Sequence, residues 1–264
     1  SGAGAKLSTS TPASSDAMTI TISEGSAATI AVLKSINAAT VGTITLSTET
    51  IAANYSDTAA NLAAAFDGIT THTGTIGLSD GVAATIAELV TINNATSGTV
   101  TLNSQTIAAN YSDTAVNLAA AFSGITTHTG TIAITGTNPT ITQLNNISGA
   151  TSGVVTATIS GTATNLATLT TASTDAITIT ISEGSTATIA ELKSINAATA
   201  GTVTLSTETI AANFSDTAAN LAAAFSGITP HTGNLTISET STATIAELVT
   251  INAATSGTVT LSTE

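Results

Sequence analysis

The chain has 264 residues, enough for one or two globular domains, but only 7% are charged and 2% aromatic, whereas a typical soluble domain is about a quarter charged. A net charge of −13, with Lys6, Lys34 and Lys193 as its cations, excludes the basic footprint that nucleic acid or an anionic membrane surface needs. There is no Cys for disulfides or thiolate metal sites, and Thr, Ser or Asn interrupts every apolar stretch, so no membrane insertion is expected.

The N-terminal "SGAGAKLSTSTPASSD" lacks the apolar core of a signal peptide, which places any export signal outside this chain. Shifted by 159 residues, "SGAGAKL" falls on "SGTATNL" and "ASSDA" on "ASTDA". Residues 1–18 therefore read as a partial repeat unit already in register, and 19–264 as a continuous array cut from a longer one.

A five-residue pattern, Thr-aliphatic-Thr-aliphatic-polar, starts near residues 19, 43, 75, 99, 131, 156, 178, 202, 234 and 258, at steps of 22–32 residues. Such alternation predicts strands. Ile44 and Leu46, Ile76 and Leu78, Val100 and Leu102, and Val203 and Leu205 should face inward. The outward positions are Thr-rich and form a candidate interaction face: Thr19, Thr21, Thr43, Thr45, Thr99, Thr101, Thr178, Thr180, Thr202, Thr204, Thr258 and Thr260. Gly77 and Ala133 interrupt it.

Short units continue as "TATIAELVTINAATSG", where Ile245, Leu248 and Ile251 mark one face of a helix that Thr242 or Thr244 can cap, and Gly257 closes a turn of positive φ. Long units insert "TETIAAN" and then a stronger helix, with Ser56-Asp57 as N-cap and Leu62, Phe66 and Ile69 on its apolar face. The same residues return as Leu118, Phe122 and Ile125 and as Leu221, Phe225 and Ile228. The fold expected is an α/β repeat solenoid of about ten coils, each with one parallel strand and one short helix, and with Thr lining the outer sheet face. The alternative is an all-β solenoid, which the helix-forming "AANLAAAF" runs disfavour.

Three sets of polar residues invite a chemical reading. His72, His128 and His231 recur in "T-x-H-T-G", two coils or more apart, too far to share a metal, and read as loop residues. Ser56-Asp57, Ser112-Asp113 and Ser215-Asp216 would need a His and an oxyanion hole to act as a hydrolase triad, and read as helix caps. Glu88, Glu191 and Glu247 read as solvating residues on the outer helix face. The sole acid of the irregular stretch 131–177 is Asp175, too little for a polysaccharide-cleaving carboxylate cluster, so no enzyme and no cofactor is expected. Calcium stays open, although neither the Gly-rich nonapeptide nor EF-hand spacing is present.

The blocks "TIAELxxINxATxGTVTL" and "SDTAANLAAAFSGITxHTG" resemble repeats of giant Thr/Ala/Gly-rich secreted surface proteins of cyanobacteria and other Gram-negative bacteria, along essentially the whole chain. The resemblance implies an extracellular, cell-surface protein of adhesin, surface-layer or motility type, exported without an N-terminal signal. The expected function is a rigid stalk, coat or self-assembling filament, with neighbouring repeats or further copies as partners. The competing expectation is a binding module that offers its Thr face to polysaccharide, O-glycans or ice.

Overall fold

The computed structural model describes residues 16–23, 25–79, 81–136, 138–228, 230–238 and 242–262; most of the partial unit expected over 1–18 lies outside them. The chain is a mixed α/β protein in which short parallel strands alternate with helices. It divides into two compact units, one reaching residue 131 and including 150–153, the other formed by 132–149 and the residues from 154 onward.

In the first unit the strands are β1 (Ile20–Thr21), β2 (Ile44–Thr45), β3 (Tyr55–Asp57), β4 (Ile76–Leu78), β5 (Val100–Thr101) and β6 (Tyr111–Thr114). Its helices are α1 (Ile30–Asn37), α2 (Thr48–Ala52), α3 (Ala59–Phe66), α4 (Ile86–Ala95), α5 (Ser104–Ala108) and α6 (Ala115–Ala121). β1 pairs with β2, and β3 with β4 and β4 with β5, all in parallel. After α7 (Ile141–Ala150), the second unit continues through α8 (Ala163–Leu166), α9 (Ile189–Ala197), α10 (Thr207–Ala211), α11 (Ala218–Phe225) and α12 (Ile245–Ala254). Its strands are β7 (Ile132–Thr135), β8 (Val155–Gly161), β9 (Ala176–Ile181), β10 (Val203–Thr204), β11 (Phe214–Asp216), β12 (Leu235–Ile237) and β13 (Val259–Leu261). There β7, β8, β9 and β10 are neighbours in order, and β11, β12 and β13 form a second parallel group.

The sheets are thus small and separate, where one ten-stranded sheet was expected, and a long repeat holds two strands and two helices instead of one of each. The insert is the cause. In "STETIAAN" Ser47 caps α2 by accepting from Thr50 N, and the chain then re-enters as the new strand β3. Asn103 and Ser206 cap α5 and α10 in the same way, ahead of β6 and β11. The strand before the insert, β2, β5 or β10, pairs on its earlier side; the strand after it starts a new pairing at β3 or β11. The helices bridge these breaks: α1 packs on α3, α3 on α4 and α4 on α6, and likewise α9 on α11 and α11 on α12.

Alternation places the core as expected. Leu46, Ile76, Leu78, Leu102, Val203 and Leu205 are buried, and Ile44 and Val100 are half-buried. Leu62, Phe66 and Ile69 are buried with their counterparts in the other long repeats, as are Leu89 and Ile92 in α4. The first stripe position of α12 differs: Ile245 is 77% exposed, whereas Ile30, Ile86 and Ile189 are each 8% exposed. Those three helices are each packed against a later one, and among the described residues none follows α12. In the irregular stretch the strand at 156 pairs two residues off the expected register, Thr156 opposite Ala176 and Thr158 opposite Thr178, which keeps each side chain on its face.

The glycine of "AT-x-G" works differently from expectation. Gly257 is not among the residues of positive φ, which include Gly68, Gly124 and Gly227. A Cβ at Gly257 would fall on the carbonyl of Gly233, and one at Gly98 on that of Gly74. Successive turns therefore touch backbone to backbone there. Gly98→Ala should lower stability by about 1–3 kcal/mol or more through overpacking. Gly149→Ala, in α7 with nothing within 4 Å of its Cβ position, should be neutral or raise stability by about 0.5 kcal/mol. Urea unfolding of the two variants checks the contrast, and equal behaviour would refute the close-approach account.

Candidate functional site

The Thr face is present and solvated. Of the twelve threonines singled out, Thr180 is half-buried and the rest are exposed. Register sets Thr21 beside Thr45, Thr180 beside Thr204 and Thr236 beside Thr260. The rows are short, because each sheet ends at an insert and because Thr101 meets Gly77 and Thr156 meets both Ala133 and Ala176.

The histidines are not loop residues on the surface. His72, His128 and His231 are at most 1% exposed, and each makes an isolated parallel bridge to the threonine of the next "AT-x-G", Thr96, Thr151 or Thr255. Each imidazole sits in a cage of two aromatic rings. Tyr55 and Phe66 lie 5.4 and 5.1 Å from His72, Tyr111 and Phe122 5.5 and 4.9 Å from His128, and Phe214 and Phe225 5.5 and 4.9 Å from His231. These cages hold every aromatic and every His of the chain: two Tyr, four Phe and three His. The signal was in the sequence as a fixed spacing, an aromatic 17 and a Phe 6 residues before each His. Low aromatic content hid it.

Around His128, Nδ1 lies 3.0 Å from Thr151 Oγ1 and Nε2 lies 2.9 Å from the Ala109 carbonyl. Thr151 Oγ1 also donates to Gly130 O at 2.8 Å and accepts from Gly153 N. Both ring nitrogens thus have acceptors within reach, and an imidazolium could use both. Against that extra bond stands desolvation, several kcal/mol for a buried ion, while a hydrogen bond to a charged group contributes about 1.5–3 kcal/mol. Desolvation prevails, and burial holds the imidazole below its ordinary pKa. Among the described residues the rings of His72 and His231 have no hydrogen-bond partner, although backbone of Thr50, and of Thr209 and Ala212, lies near them, and burial lowers the pKa of both in the same way.

The other polar motifs build local structure. The N-caps are Thr58, Thr114 and Thr217, one residue after the expected Ser-Asp pairs. Ser56 is exposed on β3, and Asp57 accepts from Asn61 Nδ2 at 2.8 Å and Thr58 N at 2.7 Å, contacts that hold its carboxyl below the usual range. None of the three imidazoles is hydrogen-bonded to these pairs, as a triad requires. Glu88, Glu191 and Glu247 close capping boxes with Thr85, Thr188 and Thr244, so that column does more than solvate. Asp175 is 1% exposed and accepts from Ser148 Oγ at 2.6 Å, Val155 N at 2.8 Å and Ala172 N at 3.1 Å, as a structural anchor of the irregular stretch.

Two further devices lock turn to turn. The Thr of "AT-x-G" donates to a carbonyl of the preceding turn and accepts from the Gly two residues on: Thr96 to Gly74 O at 2.7 Å, Thr199 to Ile177 O at 2.7 Å and Thr255 to Gly233 O at 2.7 Å. The buried Thr50 and Thr106 accept from Ala28 N and Ala84 N, while the hydroxyls of Tyr55 and Tyr111 donate to Ala28 O and Ala84 O at 2.7 Å. In the third copy Thr209 accepts from Ala187 N, but Phe214 has no hydroxyl for Ala187 O.

Among the described residues no group of three His, Cys, Asp or Glu side chains is placed to hold a metal ion, and no helix is long and apolar enough to cross a membrane. No protein-family model matches the chain, and comparison with curated proteins and with solved structures gave no match.

Two substitutions test these contacts. Thr96→Val strands the Gly98 N–H and the Gly74 carbonyl and should lower stability by about 1–3 kcal/mol. Phe214→Tyr restores a donor for Ala187 O and should raise stability by about 0.5–1.5 kcal/mol. Urea midpoints measure both, and a neutral Thr96→Val would show that the staple contributes nothing.

Proposed function

We propose that the chain is a structural, non-enzymatic segment of an extracellular or cell-surface repeat protein, an α/β solenoid serving as stalk, coat or self-assembling filament. One observation carries the reading: the specialised contacts are made in several equivalent copies, and each joins one turn of chain to the next. There are three aromatic–His cages, and "AT-x-G" staples at Thr40, Thr96, Thr151, Thr199 and Thr255. A catalytic site needs unlike groups converging in one place. An array that grows by adding turns needs the same joint at each step.

The concavities support the same view. An open cleft of about 600 Å³ is lined by Asn37, Thr40, Thr43 and Asp67 among others, and one of about 500 Å³ by their counterparts Asn196, Thr199, Thr202 and Ser226. Both are by-products of the repeat, and neither gathers a pair of titratable groups. The surface location rests on the resemblance of the two repeat blocks, with the scarcity of Lys and lack of Cys in agreement.

The second reading, a binding module for polysaccharide or ice, is favoured by the solvated Thr rows, such as Thr21 beside Thr45 and Thr180 beside Thr204. Their interruption at every insert weighs against a ligand that needs a long flat lattice.

Electron microscopy of the purified chain and of its native source material tests the choice. Narrow rods, fibres or surface sheets are expected, and discrete compact particles in both preparations would count against the scaffold. Thermal hysteresis should be zero at high protein concentration; measurable activity would shift the assignment to ice binding.

A further inference from the structure

We propose that His72, His128 and His231 make the three long repeats acid-sensitive joints, which hold at neutral pH and loosen when the imidazoles are protonated. The geometry carries this. Each ring is at most 1% exposed and wedged between two aromatic side chains at the bridge to the next turn. Among the described residues no carboxylate is hydrogen-bonded to any of the three rings, so a cation formed there has no paired anion. From β3 and β6 the titratable neighbours are Tyr55 and Tyr111, whose hydroxyls are committed to Ala28 O and Ala84 O and whose ionisation burial pushes upward; β11 presents Phe214. α3, α6 and α11 present Phe66, Phe122 and Phe225.

The carboxylates on the surrounding elements are engaged elsewhere. Asp57, Asp113 and Asp216 accept from Asn61, Asn117 and Asn220; Glu88 and Glu247 close capping boxes; Glu49 and Glu208 accept from Gly25 N and Gly184 N. None is bonded to an imidazole.

The direction follows from linkage. Burial places the folded imidazoles below the ordinary value of 6.5. The unfolded chain then takes up protons first as pH falls. The contribution of the three cages is complete above about 6.5 and is lost as pH drops from there toward the folded values. Asp57, Asp113, Glu191 and Glu247 have carboxyls held below their usual range, so their contributions persist to more acid pH. The interval between neutrality and mild acidity isolates the histidines.

Tyr55 and Tyr111 are the only tyrosines, the chain has no Trp, and both report from inside cages. Urea unfolding followed by tyrosine near-ultraviolet circular dichroism, at about pH 7.5 and about pH 5.5 on either side of the imidazole value, is the test. The unaltered chain should show a lower midpoint at the acid pH, and the triple variant H72L/H128L/H231L should lose that fall. A midpoint that does not move in the unaltered chain, or an equal fall in the variant, overturns the proposal. Should the variant fail to fold, NMR titration of the imidazole ring signals in the unaltered folded chain decides: all three should titrate below the free value, and titration at or above it overturns the proposal.

Discussion

The structure depends on how closely one turn of chain can lie on the turn before it. At "AT-x-G" the approach leaves no room for a Cβ: at Gly42, Gly98, Gly153, Gly201 and Gly257 the added atom would fall on a carbonyl of the preceding turn. The neighbouring Thr hydroxyl fills the hydrogen-bonding needs this contact creates, donating to that turn and accepting from the Gly N–H. Backbone groups buried away from water must find partners. Here one Thr and one Gly satisfy that requirement and set the spacing at which strands pair and helices pack.

Given that spacing, the long repeats face a difficulty that the short ones do not. Their extra residues must be absorbed without moving the helices apart. The chain absorbs them on the strand side, as α2, α5 and α10, and restarts pairing with the Tyr-Ser-Asp or Phe-Ser-Asp strands. The helix side is held by Asn37, Asn93 and Asn196, whose Nδ2 groups donate to carbonyls at the C-terminal ends of α3, α6 and α11, such as Asp67 O at 2.8 Å, Ser123 O at 2.9 Å and Ser226 O at 3.0 Å. The aromatic–His cage then fills the volume opened behind the new strand. This is why the largest side chains of a nearly aromatic-free protein are all spent in the long repeats.

What could be read from the sequence follows the same division. Strand faces and helix stripes were legible because alternation and 3.6-residue spacing register burial directly, as Leu46 and Leu62 show. The strand at Tyr55 was not, because three residues are too few to show a period and Ser56-Asp57 is also a good capping sequence. The true cap, Thr58, stands one residue on, and strand and helix meet there with no loop between them. The burial of His72 was hidden for a different reason. "T-x-H-T-G" has the composition of a turn, and only contacts with Tyr55, Phe66 and the following Thr96 turn it inward.

The three long repeats also differ in how the cage is bonded to the short repeat before it. At the cage the ring from the new strand is Tyr, Tyr and Phe, and replacing Tyr by Phe leaves the packing nearly unchanged, with centroid distances to the helix Phe of 5.6, 5.5 and 5.6 Å. What is lost at Phe214 is one hydrogen bond to the preceding short repeat, while Thr209 still holds the Ala187 N–H. The polar half of the contact is therefore replaceable and the apolar half is retained. The change at Phe214 thus removes about one hydrogen bond's worth of stability and leaves the packing in place. The hydroxyl can be dropped because the ring itself, and not its hydrogen bond, packs against Phe225 and His231.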